Sequence, residues 1–266
     1  MPEAAVNGVR LAYEVKGSGQ PVLMIMGTGA RARVWHVHQV PALVAAGYSV
    51  TTFDCRGVPP SDVPPGVYSI GQLVADAGSL IDHLRIGPCR VVGLSLGATI
   101  AQELALARPD AVRALVLIAT EGRLDSARRA LLRADTLLNE ERARLPAEYE
   151  AVVRAFQMLS PHTLNSEKDA SLWLETFALP HENDGLEHRL RLEERPNRLS
   201  ALRGVRAPTM VIGFADDLIA PPHLGREVAE AIQGSEYIEL KDCGHLGHLE
   251  RPDAVNAELL RFLHRV

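Results

Sequence analysis

The sequence predicts an α/β chain with a mainly parallel, doubly wound sheet and a helical insertion. Three observations carry that reading. Over residues 1–120, apolar runs of strand length alternate with stretches whose apolar residues follow helical spacing. One such run, Arg90-Val91-Val92, leads through Gly93-Leu94-Ser95-Leu96-Gly97 into helical spacing at Ala98, Ile100, Ala101, Leu104 and Ala105. From Glu121 to Arg203 no convincing strand occurs, and strand–helix alternation then resumes. The expected organisation is therefore a sheet domain over 1–120 and 204–266, with a helical cap over 121–203.

Taken in order, Val6-Asn7-Gly8-Val9 carries an Asn-Gly turn signal between alternating segments and predicts an N-terminal hairpin. Pro21-Val22-Leu23-Met24-Ile25-Met26 is continuously apolar, as a strand buried on both faces must be. It ends in Gly27-Thr28-Gly29, where backbone amides become free to meet an anion. A helix is expected over 34–46, ended by Gly47, and a strand over 48–53. Four prolines make 58–66 a loop. Ser69 is the expected N-cap of a helix carrying Leu73, Val74, Ala77, Leu80, Ile81 and Leu84. After the Ser95 segment, Arg108-Pro109-Asp110 breaks the helix and 112–119 forms a strand. The insertion reads as helices over 124–138, 147–159 and 166–178, with a further piece around 186–194. Strands at 208–214 and 236–240, a helix from His223 to Ile232 and a closing helix from Pro252 complete the chain.

Composition narrows the function classes. The 266 residues are 47% hydrophobic, enough for one large core. A net charge of −5 gives no nucleic-acid footprint. No apolar run is long enough to cross a membrane, and the first residues resemble no secretory signal. Cys55, Cys89 and Cys243 lack metal-like spacing and read as reduced thiols of a cytoplasmic protein. No metal-ligand cluster is visible and no cofactor is called for. The Arg- and Glu-rich face of the insertion reads as a solvated surface with local ion pairs; its arginine excess would also suit an acidic or carrier-bound acyl group.

The chemistry concentrates on Gly93-x-Ser95-x-Gly97. A serine on a sharp strand-to-helix turn needs small neighbours, and the new helix points its first amides at whatever the hydroxyl attacks. Such a serine needs a base, and the base needs an orienting acid. Asp216-Asp217 follows one late strand and Cys243-Gly244-His245 follows the next, giving the order Ser, Asp, His. His248 is the rival base on the same turn.

With that order the chain resembles the α/β-hydrolase family over nearly all its length outside the insertion. Trp35, Gln39, Pro41, Leu43, Gly47-Tyr48, Asp54, Arg56-Gly57 and Ser61 resemble the family's pattern before the nucleophile. Asp217 with Pro221 resembles the acid turn, and Gly244-His245 with Leu249-Glu250-Arg251-Pro252 the histidine turn. The resemblance implies Ser95 as nucleophile, His245 as base, Asp217 rather than Asp216 as acid, and the amides of Leu96 and Thr28 as oxyanion donors. Two departures stand out: Met26 precedes Gly27 where many members carry His, and Pro59-Pro60 precedes Ser61 where glycine is common. Asp54 and Arg56 are expected to bond the surrounding loops. Met158, Trp173 and Phe177 are candidates to line a pocket over Ser95, with Phe156 among the apolar residues that must pack.

The implied activity is a serine hydrolase acting on a small-molecule carboxylic ester, thioester or lactone through an acyl-enzyme. The same triad also serves perhydrolysis of the cofactor-free haloperoxidase kind, elimination, cyclisation or carbon–carbon cleavage, and a ligand-binding receptor is a further alternative. The expected partner is a small acyl substrate, with no nucleic acid and no membrane; a homodimer is left open.

Overall fold

The computed structural model describes residues 1–141, 145–179, 190, 192 and 195–266. Eight strands form one sheet: β1 (Glu3–Val6), β2 (Val9–Lys16), β3 (Gln20–Ile25), β4 (Tyr48–Phe53), β5 (Cys89–Leu94), β6 (Val112–Ile118), β7 (Thr209–Phe214) and β8 (Glu236–Leu240). Their spatial order is β1-β2-β4-β3-β5-β6-β7-β8. The pairs β1/β2 and β2/β4 are antiparallel; every later pair is parallel. Asn7 and Gly8 both take positive φ, as the tight primed turn of the N-terminal hairpin requires.

The parallel strands are apolar on both faces because both faces are covered. Leu23, Ile25, Val91, Leu115, Leu117 and Val211 face one core. Their neighbours Val22, Met24, Val92, Val116, Ile118, Met210 and Ile212 face the other. Helices α2 (Ile70–Leu84), α3 (Leu96–Ala107) and α9 (Pro222–Ala231) cover the first face. Helices α1 (Gln39–Ala45) and α11 (Pro252–Leu263) cover the second. Ser69 caps α2 in a reciprocal capping box: its Oγ accepts from the Gln72 amide at 3.2 Å, and Gln72 Oε1 accepts from the Ser69 amide at 2.9 Å.

One helix expectation is corrected. The segment over 34–46 is two pieces, a 3₁₀ turn at Ala32–His36 and then α1. Pro41 is the reason. It has no amide hydrogen and its ring would strike the carbonyl of the residue four before it, so the α-helix starts afresh just ahead of it.

Between β6 and β7 lie α4 (Ser126–Glu140), α5 (Ala147–Met158), α6 (Pro161–Leu164), α7 (Glu167–Ala178) and α8 (Leu199–Leu202), with no strand among the described residues. Most of the helical piece expected around 186–194 lies outside the described residues. Helices α5 and α7 pack on each other. Phe156, on α5, is 63% exposed. The short helix α10 (Gly247–Glu250) precedes α11. No described helix is long and apolar enough to cross a membrane.

The chain winds from β3 outward to β4, then crosses back past β3 to β5. The switch point therefore lies between the carboxyl ends of β3 and β5, where an open α/β sheet leaves a crevice for a ligand. The Gly27-Thr28 loop leaves one of these strands and Ser95 leaves the other.

Candidate active site

Ser95 is the N-cap of α3 and holds φ 54°, ψ −117°, a conformation that costs a non-glycine residue energy. The two flanking glycines make it accessible. A Cβ at Gly93 would press on the backbone of Gly97 and Ala98, and one at Gly97 would overlap the carbonyl of Ile25 at the end of β3. The serine is thus lifted on a turn wedged against the neighbouring strand.

His245 Nε2 lies 3.1 Å from Ser95 Oγ, and His245 Nδ1 lies 2.8 Å from Asp217 Oδ2. The other carboxylate oxygen of Asp217 accepts the amides of Ile219 and Ala220, each at 2.8 Å. Both His245 and Asp217 are buried. Asp216 is turned out of this chain: its amide bonds the carbonyl of Cys243 at 3.1 Å, and its side chain is half-exposed. His248 sits elsewhere as well. It is fully buried with its ring 5.3 Å from that of Trp35, and neither ring nitrogen has a hydrogen-bond partner. Burial pushes its pKa down to about 3, with a smaller contribution from His245.

Thr28, Leu96 and Ser95 line one small cavity. The Leu96 amide opens α3 and has no acceptor within the helix. The loop bearing Thr28 is held from beneath, where Asp54 Oδ1 accepts the Ala32 amide at 2.6 Å. Arg56 makes a buried bidentate pair with Asp76 at 2.6 Å per bond, so both Asp54 and Arg56 serve the loops around the site. Hydrogen-bond donors near a hydroxyl–imidazole–carboxylate chain can stabilise charge as the hydroxyl adds to a carbonyl.

The remaining lining of this cavity is Thr99, Ala119, Glu121, Arg128, Leu192, Arg195, Ile219 and Ala220. Met158, Trp173 and Phe177 are not brought to it. Trp173 and Phe177 pack on each other, with ring centroids 5.3 Å apart. Met158 instead contributes its carbonyl, which accepts the Leu246 amide at 3.1 Å just beyond His245. Beside that contact, Glu250 gathers four donors: the Ser160 amide (3.0 Å) and hydroxyl (2.7 Å), the Thr163 hydroxyl (2.6 Å) and the Gly244 amide (2.7 Å). One carboxylate thus fastens the histidine loop to the end of α5 and the start of α6.

Residues Thr99, Glu121, Arg128 and Arg195 were not evident as site residues in the sequence. Thr99 carried a weak signal, since it stands one helical turn beyond Ser95 and faces the same way. Glu121 stands three residues past the end of β6, at the carboxyl edge of the sheet. Arg128 and Arg195 had no distinguishing signal among the other arginines of the insertion.

This fold and this arrangement define an α/β-hydrolase, and the comparisons agree: residues 22–258 match the alpha/beta hydrolase family, to which the chain belongs. It is 44% identical over 256 residues to a Mycobacterium tuberculosis protein provisionally named non-heme bromoperoxidase BpoC, covering 96% of this chain and 97% of that one. The crystal structure of BpoC superposes with a TM-score of 0.91, covering 96% of each chain. A protein of Azorhizobium caulinodans provisionally named carbamate hydrolase RutD is 30% identical across 98% of both chains. The crystal structure of an enol-lactonase from Burkholderia xenovorans is 27% identical, with a TM-score of 0.85 over 99% of this chain and 100% of that one. The chain is an enzyme of this family.

Proposed function

We propose that the protein is a serine hydrolase of small-molecule carboxylic esters, thioesters or lactones. The observation that carries the reading is the unbroken chain from Ser95 Oγ through His245 to Asp217, at 3.1 and 2.8 Å. In this reading His245 Nε2 takes the hydroxyl proton as Ser95 attacks the carbonyl carbon. Asp217 fixes the tautomer with Nδ1 protonated and stabilises the imidazolium. The amides of Leu96 and Thr28 receive the developing oxyanion, each contributing on the order of 3 kcal/mol to lowering the barrier. The leaving alcohol, thiol or ring oxygen takes the proton from His245. Water, deprotonated by the same imidazole, then splits the acyl-enzyme and restores Ser95. Residues 121–203 act as the cap of this site, tied to the histidine loop through Glu250 and Met158.

A second reading is favoured by the name of the 44%-identical relative. Hydrogen peroxide in place of water would attack the same acyl-enzyme, releasing a peracid while Ser95 recovers its proton. The two readings share every residue and differ only in the acceptor.

The test is a panel of p-nitrophenyl esters from acetate to decanoate, with wild type and Ser95→Ala, plus intact mass after a fluorophosphonate probe. Turnover that disappears in Ser95→Ala, together with one adduct on Ser95, is the expected result. Absence of both adduct and turnover would overturn the proposal. Repeating the best ester with added peroxide separates water from peroxide as acceptor.

A further inference from the structure

Arg128 and Arg195 come from opposite ends of the 121–203 insertion, yet both line the cavity that holds Ser95. Their side chains are only 12% and 14% exposed, so they are not part of a solvated face. They converge on a single carboxylate. Arg195 pairs with Glu121 through one amino nitrogen and donates to Thr99 Oγ1 at 2.7 Å through the other. Arg128 Nε stands 3.7 Å from Glu121 Oε2, an ion-pair distance too long for a hydrogen bond. The Nε atoms of both arginines and Oε2 of Glu121 are buried without a hydrogen-bond partner.

Two guanidinium groups therefore share one carboxylate. Among the described residues, the other acids around the cluster already have partners: Asp217 holds His245 and two backbone amides, Glu103 pairs with Arg198, and Asp125 accepts the Arg128 amide and lies 3.2 Å from His223 Nε2. A buried cation left without full hydrogen bonding is costly, and an arginine fork is shaped for a carboxylate. Burial pushes Arg195 down and Glu121 up from their ordinary values, as for a charged pair withdrawn from water. Thr99, Glu121 and Arg195 also line a second cavity of about 620 Å³, flanked by the apolar side chains of Ile70, Val74 and Ala107. The charged cluster thus stands between Ser95 and the larger space.

We infer that Arg128 and Arg195 form an anion subsite, and that the preferred substrate is an ester, thioester or lactone bearing a free carboxylate on its acyl part. The inference rests on the hydrolase reading above. The carboxylate meets the two unpartnered Nε–H donors, while the scissile carbonyl lies on Ser95. Here Arg128 and Arg195 determine specificity and take no part in proton transfer.

The test compares mono-phenyl esters of glutaric, adipic and pimelic acids with their neutral methyl phenyl diesters, by phenol release. In wild type the best half-ester should exceed its neutral partner in kcat/KM by at least tenfold. The ratio should fall to about one in Arg128→Gln and recover partly in Arg128→Lys. Because the ratio is taken within each variant, a general loss of activity cancels. A wild-type ratio of one or below, or a ratio unmoved by Arg128→Gln, would overturn the inference. Should Arg128→Gln not fold, adipate against dimethyl adipate as competitors of a neutral ester on wild type gives the same decision; equal inhibition overturns it. Should Ser95 prove unreactive, the hydrolase reading fails separately. Calorimetry of adipate against dimethyl adipate on wild type then decides the anion subsite, which is overturned if the two bind alike.

Discussion

The strand ends and the insertion meet at one cavity but are built by different rules. Ser95, Asp217 and His245 each follow the carboxyl end of a strand, so the sheet sets their positions before any side chain contacts another. Arg128 and Arg195 stand 67 residues apart by number and are brought together by converging on Glu121. The first group is specified by local spacing and topology. The second is specified by pairing between charges, local for Arg128 and long-range for Arg195, that no short pattern announces. One family can therefore keep its reaction machinery while its pocket changes, because the two parts depend on different stretches of sequence.

The largest effect should come from breaking the strand-end group. Asp217→Asn keeps the size of the side chain but removes the acceptor that orients Nδ1–H, and kcat should fall on the order of 10⁴-fold with little change in melting temperature. Steady-state kinetics on the best ester of the panel, with a thermal melt alongside, checks both halves. A loss below tenfold would mean that the buried His245–Asp217 bond does not govern the reaction.

The next effect lies where the two regions are fastened together. Glu250→Ala removes the acceptor shared by Ser160, Thr163 and Gly244. Two of those lost bonds come from backbone amides, and leaving such groups unsatisfied costs about 2 kcal/mol or more. Stability should drop by that amount in urea unfolding, and kcat should drop with it, because the loop that carries His245 is no longer clamped. If stability falls while kcat holds, the fastening serves the fold alone.

Buried His248 gives a smaller effect with a definite sign. Its folded pKa of about 3 is below the ordinary value of 6.5. Above pH 6.5 both folded and unfolded forms are neutral and the protein keeps its full stability. As pH falls from 6.5 toward 3, the unfolded chain takes up a proton that the folded chain refuses. Stability is then lost by up to about 1.4 kcal/mol per pH unit from this group. His248→Leu should flatten that part of the profile, measured by urea unfolding at pH 7, 6 and 5.

How much of this was legible follows from the same contrast. The hairpin, the parallel strands and the N-cap at Ser69 were legible because each rests on neighbours close in sequence. The glycines around Ser95 were legible for the same reason. The broken helix at Pro41 was missed because periodicity alone does not register a missing amide. The burial of Arg128 and Arg195 was not legible, since an arginine looks alike in sequence whether it faces solvent or a carboxylate, and Arg195 meets its own, Glu121, from 74 residues away. The apolar candidates Met158, Trp173 and Phe177 were judged by residue type, and type does not say which face of a helix meets the site.

That last point gives the smallest expected effect. Trp173 and Phe177 lie one turn apart on α7, are half-exposed, and pack against each other, with Arg154 over the Phe177 ring at 6.0 Å. Neither lines the cavity at Ser95. Replacing both by Ala should cost about 1 kcal/mol of aromatic pairing, a shift of a few degrees in melting temperature. The ranking of esters from acetate to decanoate should stay as in wild type. Arg128→Gln, a change in the same insertion that touches no aromatic residue, should alter the preference for acidic over neutral esters. If the aromatic pair moved the chain-length ranking and the arginine moved nothing, specificity would reside in the apolar surface of the insertion. If the outcome is the one expected here, the insertion selects its substrate through two buried charges, and its aromatic pair serves only to hold α5 and α7 together.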